Sequence, residues 1–171
     1  SLPNMPSKFF IALFQEDEQT IKEQINESMC EIYETCDPIM YCAKYNKTFS
    51  LKLLLTYNQQ NNLNHGEHNK VTALMYSAMS NAVDCAKLLL HQVKKQTEKG
   101  VTALMLAALY NRTEIIKLLL GESQLKTFVP CFQIQHCCTA LQIALKYKSR
   151  DATELLLTQE INIDYSENIQ L

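Results

Sequence analysis

The stretch VTALMYSA at residues 71–78 returns as VTALMLAA at residues 101–108, and in both places a triple leucine closes the phrase twelve residues later. Aligned on this phrase, the chain holds two further copies. Asp37-Pro-Ile-Met-Tyr-Cys-Ala leads to the leucines at 53–55, and Thr139-Ala-Leu-Gln-Ile-Ala-Leu leads to those at 155–157. In all four copies the last leucine lies eighteen residues after the opening Asp or Thr. The openings at 37, 72, 102 and 139 are spaced by 35, 30 and 37 residues, so the unit is fixed while its connection varies. A constant unit with elastic connections is the mark of a repeat array.

One copy, residues 102–120, carries the physics of all. Thr102 is placed to cap a first helix through its hydroxyl, and Ala107 and Ala108 at that helix's centre let a neighbour approach closely. A second helix, from about Thr113 to Leu120, puts Ile115, Ile116, Leu118, Leu119 and Leu120 on a wide apolar face. Asn111 marks the turn between them, as Asn46 and Asn81 do in their copies, because Asn tolerates a left-handed backbone. Lys148 holds that place in the last copy. A pair of helices this short cannot bury its apolar side alone, so each copy must stack on the next.

Composition agrees. The 171 residues are 47% apolar, enough for a sizeable core. Three glycines, four prolines and no tryptophan favour an all-α chain over a turn-rich β-fold. No run of eighteen apolar residues occurs, and SLPNMPSK lacks the regions of a signal peptide, so an intracellular location, cytoplasmic or nuclear, is expected, with no membrane contact. Seven cysteines without a CxxC pair suit reduced thiols. The glycosylation patterns at Asn26, Asn46 and Asn111 would carry nothing in that location. A net charge of −2 gives no field for nucleic acid. The charge is uneven, however: residues 1–36 hold seven acids against two lysines.

These residues resemble the ankyrin repeat, whose usual phrase is T-P-L-H-x-A-A followed by a glycine turn and a V-x-x-L-L helix. Here Asp-Pro or Thr-Ala stands for Thr-Pro, Met or Gln for His, and Asn for Gly. The T-A-L-M wording also looks like ankyrin arrays of protist proteins, some of them fused to protein kinase domains. The resemblance implies one ankyrin-type solenoid over residues 1–171: repeats at 37–71, 72–101 and 102–138, and a fourth with a truncated end at 139–171. Residues 1–36 form a degenerate capping repeat, in which Ser7-Lys-Phe-Phe-Ile-Ala-Leu13 supplies a first helix and about Glu18 to Asn26 a polar second one. The segment Glu160 to Asp164 looks like the start of another hairpin, which suggests a longer parent chain.

Chemistry-bearing motifs are sparse. There is no P-loop, GxSxG or HExxH pattern, so no enzyme activity and no cofactor are expected. His65 and His68 lie in a polar loop that solvation explains without a metal. Cys131, His136, Cys137 and Cys138 have residue types that suit zinc, against the reading that adjacent cysteines flank a helix start with one facing the core. A catalytic Cys-His pair from this set lacks an orienting partner.

An ankyrin scaffold binds a protein or peptide on the concave face made by first helices and hairpin tips. Positions seven and eight beyond each opening residue fall there: Lys44 and Tyr45, Met79 and Ser80, Leu109 and Tyr110, Lys146 and Tyr147. Phe14 in the cap falls on the Met79 and Leu109 step. Tyrosine brings contact area with a polar handle, so Tyr45, Tyr110 and Tyr147 are expected anchors, with Lys44 and Lys146 as rim charges favouring acidic groups. The alternative is that these side chains only fill spaces between first helices. A second candidate surface is the long connection bearing Phe128, Val129, Phe132 and Ile134, which either folds back on the array or meets another protein. The polar segment Thr56 to Lys70 is expected to be a flexible finger. The isolated chain is expected to be a monomer, and the runner-up function is a regulatory or targeting segment of a larger enzyme such as a kinase.

Overall fold

Opening residues at 7, 37, 72, 102 and 139 each accept a hydrogen bond from the backbone N–H three residues on, at Phe10, Met40, Met75, Met105 and Gln142. This is the geometry of the computed structural model, which describes residues 5–61, 63, 66–68 and 70–168. Unpaired N–H groups at a helix start are thereby given a partner. The helices follow in pairs: α1 (Lys8–Gln15) and α2 (Glu18–Ser28), α3 (Pro38–Lys44) and α4 (Thr48–Asn61), α5 (Ala73–Ser80) and α6 (Val83–Leu88), α7 (Ala103–Leu109) and α8 (Thr113–Leu119), α9 (Ala140–Lys146) and α10 (Arg150–Asn168). The degenerate copy opening at Ser7 is thus a full helix pair.

Nine residues after each cap the backbone turns left-handed, at Glu16, Asn46, Asn81, Asn111 and Lys148, with φ between 53° and 61°. The next N–H then bonds back to a carbonyl five residues earlier: Asp17 to Ala12, Lys47 to Cys42, Ala82 to Ser77, Arg112 to Ala107 and Ser149 to Ala144, all at 2.8–3.0 Å. That closure satisfies a helix-end carbonyl. Its five acceptors are small residues and all are buried, so one position both closes the turn and admits a neighbouring helix.

In the second helices the middle leucine of each triplet, Leu54, Leu89, Leu119 and Leu156, is buried. Its flanking leucines are only half-buried or exposed. The apolar face is therefore narrower than periodicity alone predicts: Ile115, Ile116 and Leu119 face the core, while Leu118 and Leu120 do not reach it fully.

Two compact units result, residues 1–92 and 93–171, and the division falls inside the span 72–101. In the first, α3 packs on α1 and α5 while α4 packs on α2 and α6. In the second, α7 packs on α9 and α8 on α10. Each unit is a layer of first helices against a layer of second helices. A buried polar side chain twenty residues after the cap braces two of the copies. Gln92 accepts from the Leu74 N–H (2.9 Å) and donates to the Gly66 carbonyl (3.3 Å). Glu122 accepts from the N–H groups of Lys94 (2.6 Å) and Leu104 (2.9 Å).

Two expected segments differ. The span Thr56 to Lys70 is in part the end of α4 and in part a hairpin in which β1 (Glu67–His68) pairs antiparallel with β2 (Val71–Thr72). Glu160 to Asp164 lies within α10, because no Gly or Pro occurs between residues 150 and 168 to stop that helix.

Candidate functional site

Tyr45, Tyr110 and Tyr147 end their first helices in one conformation, with φ of −103°, −96° and −94°, each just before the left-handed residue. The backbone thus presents the same step three times. Tyr110 and Tyr147 are 47% and 41% exposed, and Arg112 lays its guanidinium 5.9 Å from the Tyr110 ring centre. Tyr45, Met79 and Leu109 are half-buried, Lys146 is exposed, and Ser80 uses its hydroxyl on the Tyr76 carbonyl of its own helix.

In the first unit Phe14, Lys44 and Tyr45 come together with residues that no repeat step singles out. The Tyr45 ring lies 5.7 Å from Phe14, at a 75° interplanar angle, and 4.6 Å from Tyr41. Tyr41 in turn meets Phe10 at 4.9 Å and Tyr33 at 6.0 Å. Edge-to-face arrangements of this kind add to simple burial. Burial pushes the Tyr41 phenol up to about 12.

A two-residue hairpin tip reaches into this cluster. Tyr33 and Cys36 exchange both backbone hydrogen bonds, at 3.0 and 2.9 Å, and between them Glu34 and Thr35 have φ of 49° and 67°. Both central residues being left-handed is the type I′ geometry that Asn-Gly fills best, and for β-branched Thr35 it is a strained conformation. Glu34 is held in it by its side chain. Its Oε2 accepts from the Lys44 ammonium at 2.7 Å and from the Tyr45 hydroxyl at 2.8 Å. Those donors, Lys44 first, hold the Glu34 carboxyl below the usual range, and the Lys44 ammonium is raised by the same bond. The rings of Phe14, Tyr33, Tyr41 and Tyr45 line a cavity of about 260 Å³ together with Glu34, with Ile11 at its side.

In the second unit the long connection is pinned at its stem. The Phe128 N–H donates to the Lys99 carbonyl (2.9 Å), and the Thr127 N–H to that of Cys138 (3.0 Å). Gly100, at φ 82°, makes room, since a Cβ there would meet the Phe128 backbone nitrogen at 2.4 Å. Phe128 and Val129 stand 61% and 42% exposed beyond the stem, whereas Phe132 and Ile134 are half-buried. Cys138 is buried beneath Thr127, Cys137 and His136 are exposed and Cys131 is half-buried. His65 lies outside the described residues.

Among the described residues the capped first helix, the left-handed turn and the leucine-anchored second helix recur five, five and four times, and a family model described as ankyrin repeats (3 copies) matches residues 9–98, 39–130 and 91–168. The chain belongs to the ankyrin-repeat family. Ankyrin-repeat domains are generally protein–protein interaction modules and typically non-catalytic. No curated relative matches the chain. No helix among the described residues is long and apolar enough to cross a membrane.

Within this ankyrin unit two side chains do something other than their sequence positions suggest. Lys44, expected as a rim charge favouring acidic groups of a partner, is matched by Glu34 of its own chain, and the Tyr45 hydroxyl is used there too. Equivalent steps mark one position per ankyrin repeat, so periodicity passes over Tyr33, Glu34 and Tyr41, which belong to a wall built from a hairpin and two helices. The density of rings among Phe9, Phe10, Phe14, Tyr33, Tyr41 and Tyr45 was the available signal.

Proposed function

We infer that the chain is a non-catalytic scaffold that holds a protein or peptide partner on the face formed, in each unit, by first helices and loop tips. In the first unit the contact residues are Phe14, Lys44, Tyr45 and Met79; in the second they are Leu109, Tyr110, Lys146 and Tyr147. The observation that carries this is the threefold recurrence of tyrosine at one conformationally fixed step, with two of the three side chains, Tyr110 and Tyr147, exposed. A rigid aromatic on a rigid element loses little entropy on binding and covers a large area. Association is passive: a preformed surface meets its partner and no covalent step follows.

The experiment is a quantitative pull-down from lysate with the wild-type chain beside a triple variant carrying Tyr45→Ala, Tyr110→Ala and Tyr147→Ala, after circular dichroism shows both folded. A control with Tyr45→Phe separates loss of the ring from loss of its bond to Glu34. The expected result is disappearance of a specific protein with the triple variant. Retention of every partner would sink the tyrosine step and move the site to Phe128, Val129, Phe132 and Ile134.

A further inference from the structure

We propose that the aromatic cavity of the first unit receives an arginine side chain of the partner protein, its guanidinium held against the rings of Phe14, Tyr41 and Tyr45 beside the Glu34 carboxylate. This rests on the scaffold function above and gives the chemistry of what that part of the surface takes.

The shape comes first. Neighbouring rings meet at 75° (Phe14 and Tyr45), 53° (Tyr41 and Tyr45) and 60° (Tyr33 and Tyr41), so they form the walls of a corner rather than a flat patch. A volume of about 260 Å³ admits one long side chain and not a helix. The charge comes next. Glu34 is the single ionised side chain among the described residues that line the cavity, and the segment 1–36 to which it belongs carries seven acids against two lysines. Ring faces are themselves negative and attract cations. The chain already demonstrates this: the Lys47 ammonium stands 4.0 Å from the Phe14 ring centre and that of Lys44 5.1 Å from Tyr45, and neither lysine lines the cavity.

Which cation follows from the state of Glu34. Its Oε2 already accepts from Lys44 and Tyr45, so a second, compact ammonium would shed its tightly bound water for a carboxylate that is partly engaged. Guanidinium is weakly hydrated and planar, stacks on aromatic faces and spreads its donors over several acceptors. The strained tip supports the assignment, because the chain holds Glu34 and Thr35 left-handed, where Asn-Gly would sit without strain, and thereby sets a carboxylate at the cavity's edge.

The test is a heteronuclear NMR titration of the full chain with the peptide acetyl-Gly-Ser-Arg-Ser-Gly-amide. Parallel titrations replace Arg by citrulline, trimethyllysine or proline. The arginine peptide is expected to shift the amide signals of residues 33–36 and 45 saturably, and the citrulline peptide, which keeps the shape without the charge, to bind about fivefold more weakly or worse. Glu34→Gln should weaken the arginine peptide, and Lys44→Ala should strengthen it by removing the resident competitor. Each variant is first shown to keep the native amide spectrum outside the tip. Equal binding of citrulline, stronger binding of trimethyllysine, shifts by the proline peptide alone, or no shift at these residues would each overturn the arginine assignment. If that happens while tyrosine-dependent capture of a partner persists, only the guest is wrong; if capture is also indifferent to the tyrosines, the scaffold surface itself falls.

Discussion

Glu122 is a carboxylate where the preceding copy has the amide of Gln92, and both brace the first turn of their own repeat. Glu122 accepts from two backbone N–H groups and is almost wholly buried. Glu122→Ala orphans both donors, so a loss of about 1–3 kcal/mol is expected in denaturant titrations. Burial raises the Glu122 carboxyl above its ordinary value of 4.5. The folded chain therefore binds this proton more tightly than the unfolded one. The associated stability is fully present below pH 4.5 and fades as the pH rises through the raised folded value. Measured against Glu122→Gln, which cannot titrate, wild type should gain stability as the solution is acidified from neutral toward that value; a constant difference would refute it. Thr35 offers a simpler case. Its left-handed backbone costs about 1–3 kcal/mol, of which glycine returns part through its looser unfolded chain. Thr35→Gly should therefore raise the denaturation midpoint by about 1 kcal/mol's worth, while Glu34→Gly, which relieves similar strain but discards the bonds to Lys44 and Tyr45, should not.

Among elements, the interval of nine residues from cap to left-handed turn is invariant, and the connections absorb all variation in repeat length. The interval has a testable weak member, since Lys148 holds a conformation (φ 57°) that Asn holds in three other copies. Lys148→Asn should stabilise by up to about 1 kcal/mol and Asn81→Ala should destabilise by a similar amount, both read from thermal melts. Thr102→Ala should cost about 1 kcal/mol through the lost cap. First helices were legible because capping and small-residue packing act over one turn and leave a local imprint, as at Thr102 and Ala107. The extents of α4 and α10 were not, since nothing in TYNQQN or TQEINID forbids a helix from continuing past its leucines. The tip at Glu34 and Thr35 was illegible for the opposite reason: its conformation is imposed by tertiary bonds against the local preference of its residues.

For the molecule as a whole, burial sorts the seven cysteines. Cys30 and Cys137 are exposed, Cys131 is half-buried, and Cys36, Cys42, Cys85 and Cys138 are buried with thiols pushed up by desolvation. A native-state alkylation followed by mass spectrometry should label the first two quickly and the last four only on unfolding, because the thiolate is the reactive form. Rapid labelling of Cys42 or Cys85 would contradict the packing of the first unit. The candidate surface was legible at a coarser grain than the fold. Tyr45, Tyr110 and Tyr147 stand out by recurrence, but the electrostatic partner of Lys44 and the walls around Tyr45 depend on a hairpin that brings residues 33 and 34 against helices on either side in sequence.

The ring cluster also has an optical consequence. With no tryptophan in the chain, intrinsic emission comes from tyrosine alone, and Tyr33, Tyr41 and Tyr45 crowd around one carboxylate that accepts the Tyr45 hydroxyl. A hydrogen-bonded carboxylate quenches a phenol's fluorescence. Whatever draws Glu34 away from Tyr45 will therefore brighten the protein, which gives this chain a built-in, label-free reporter of occupancy at a single corner of its surface.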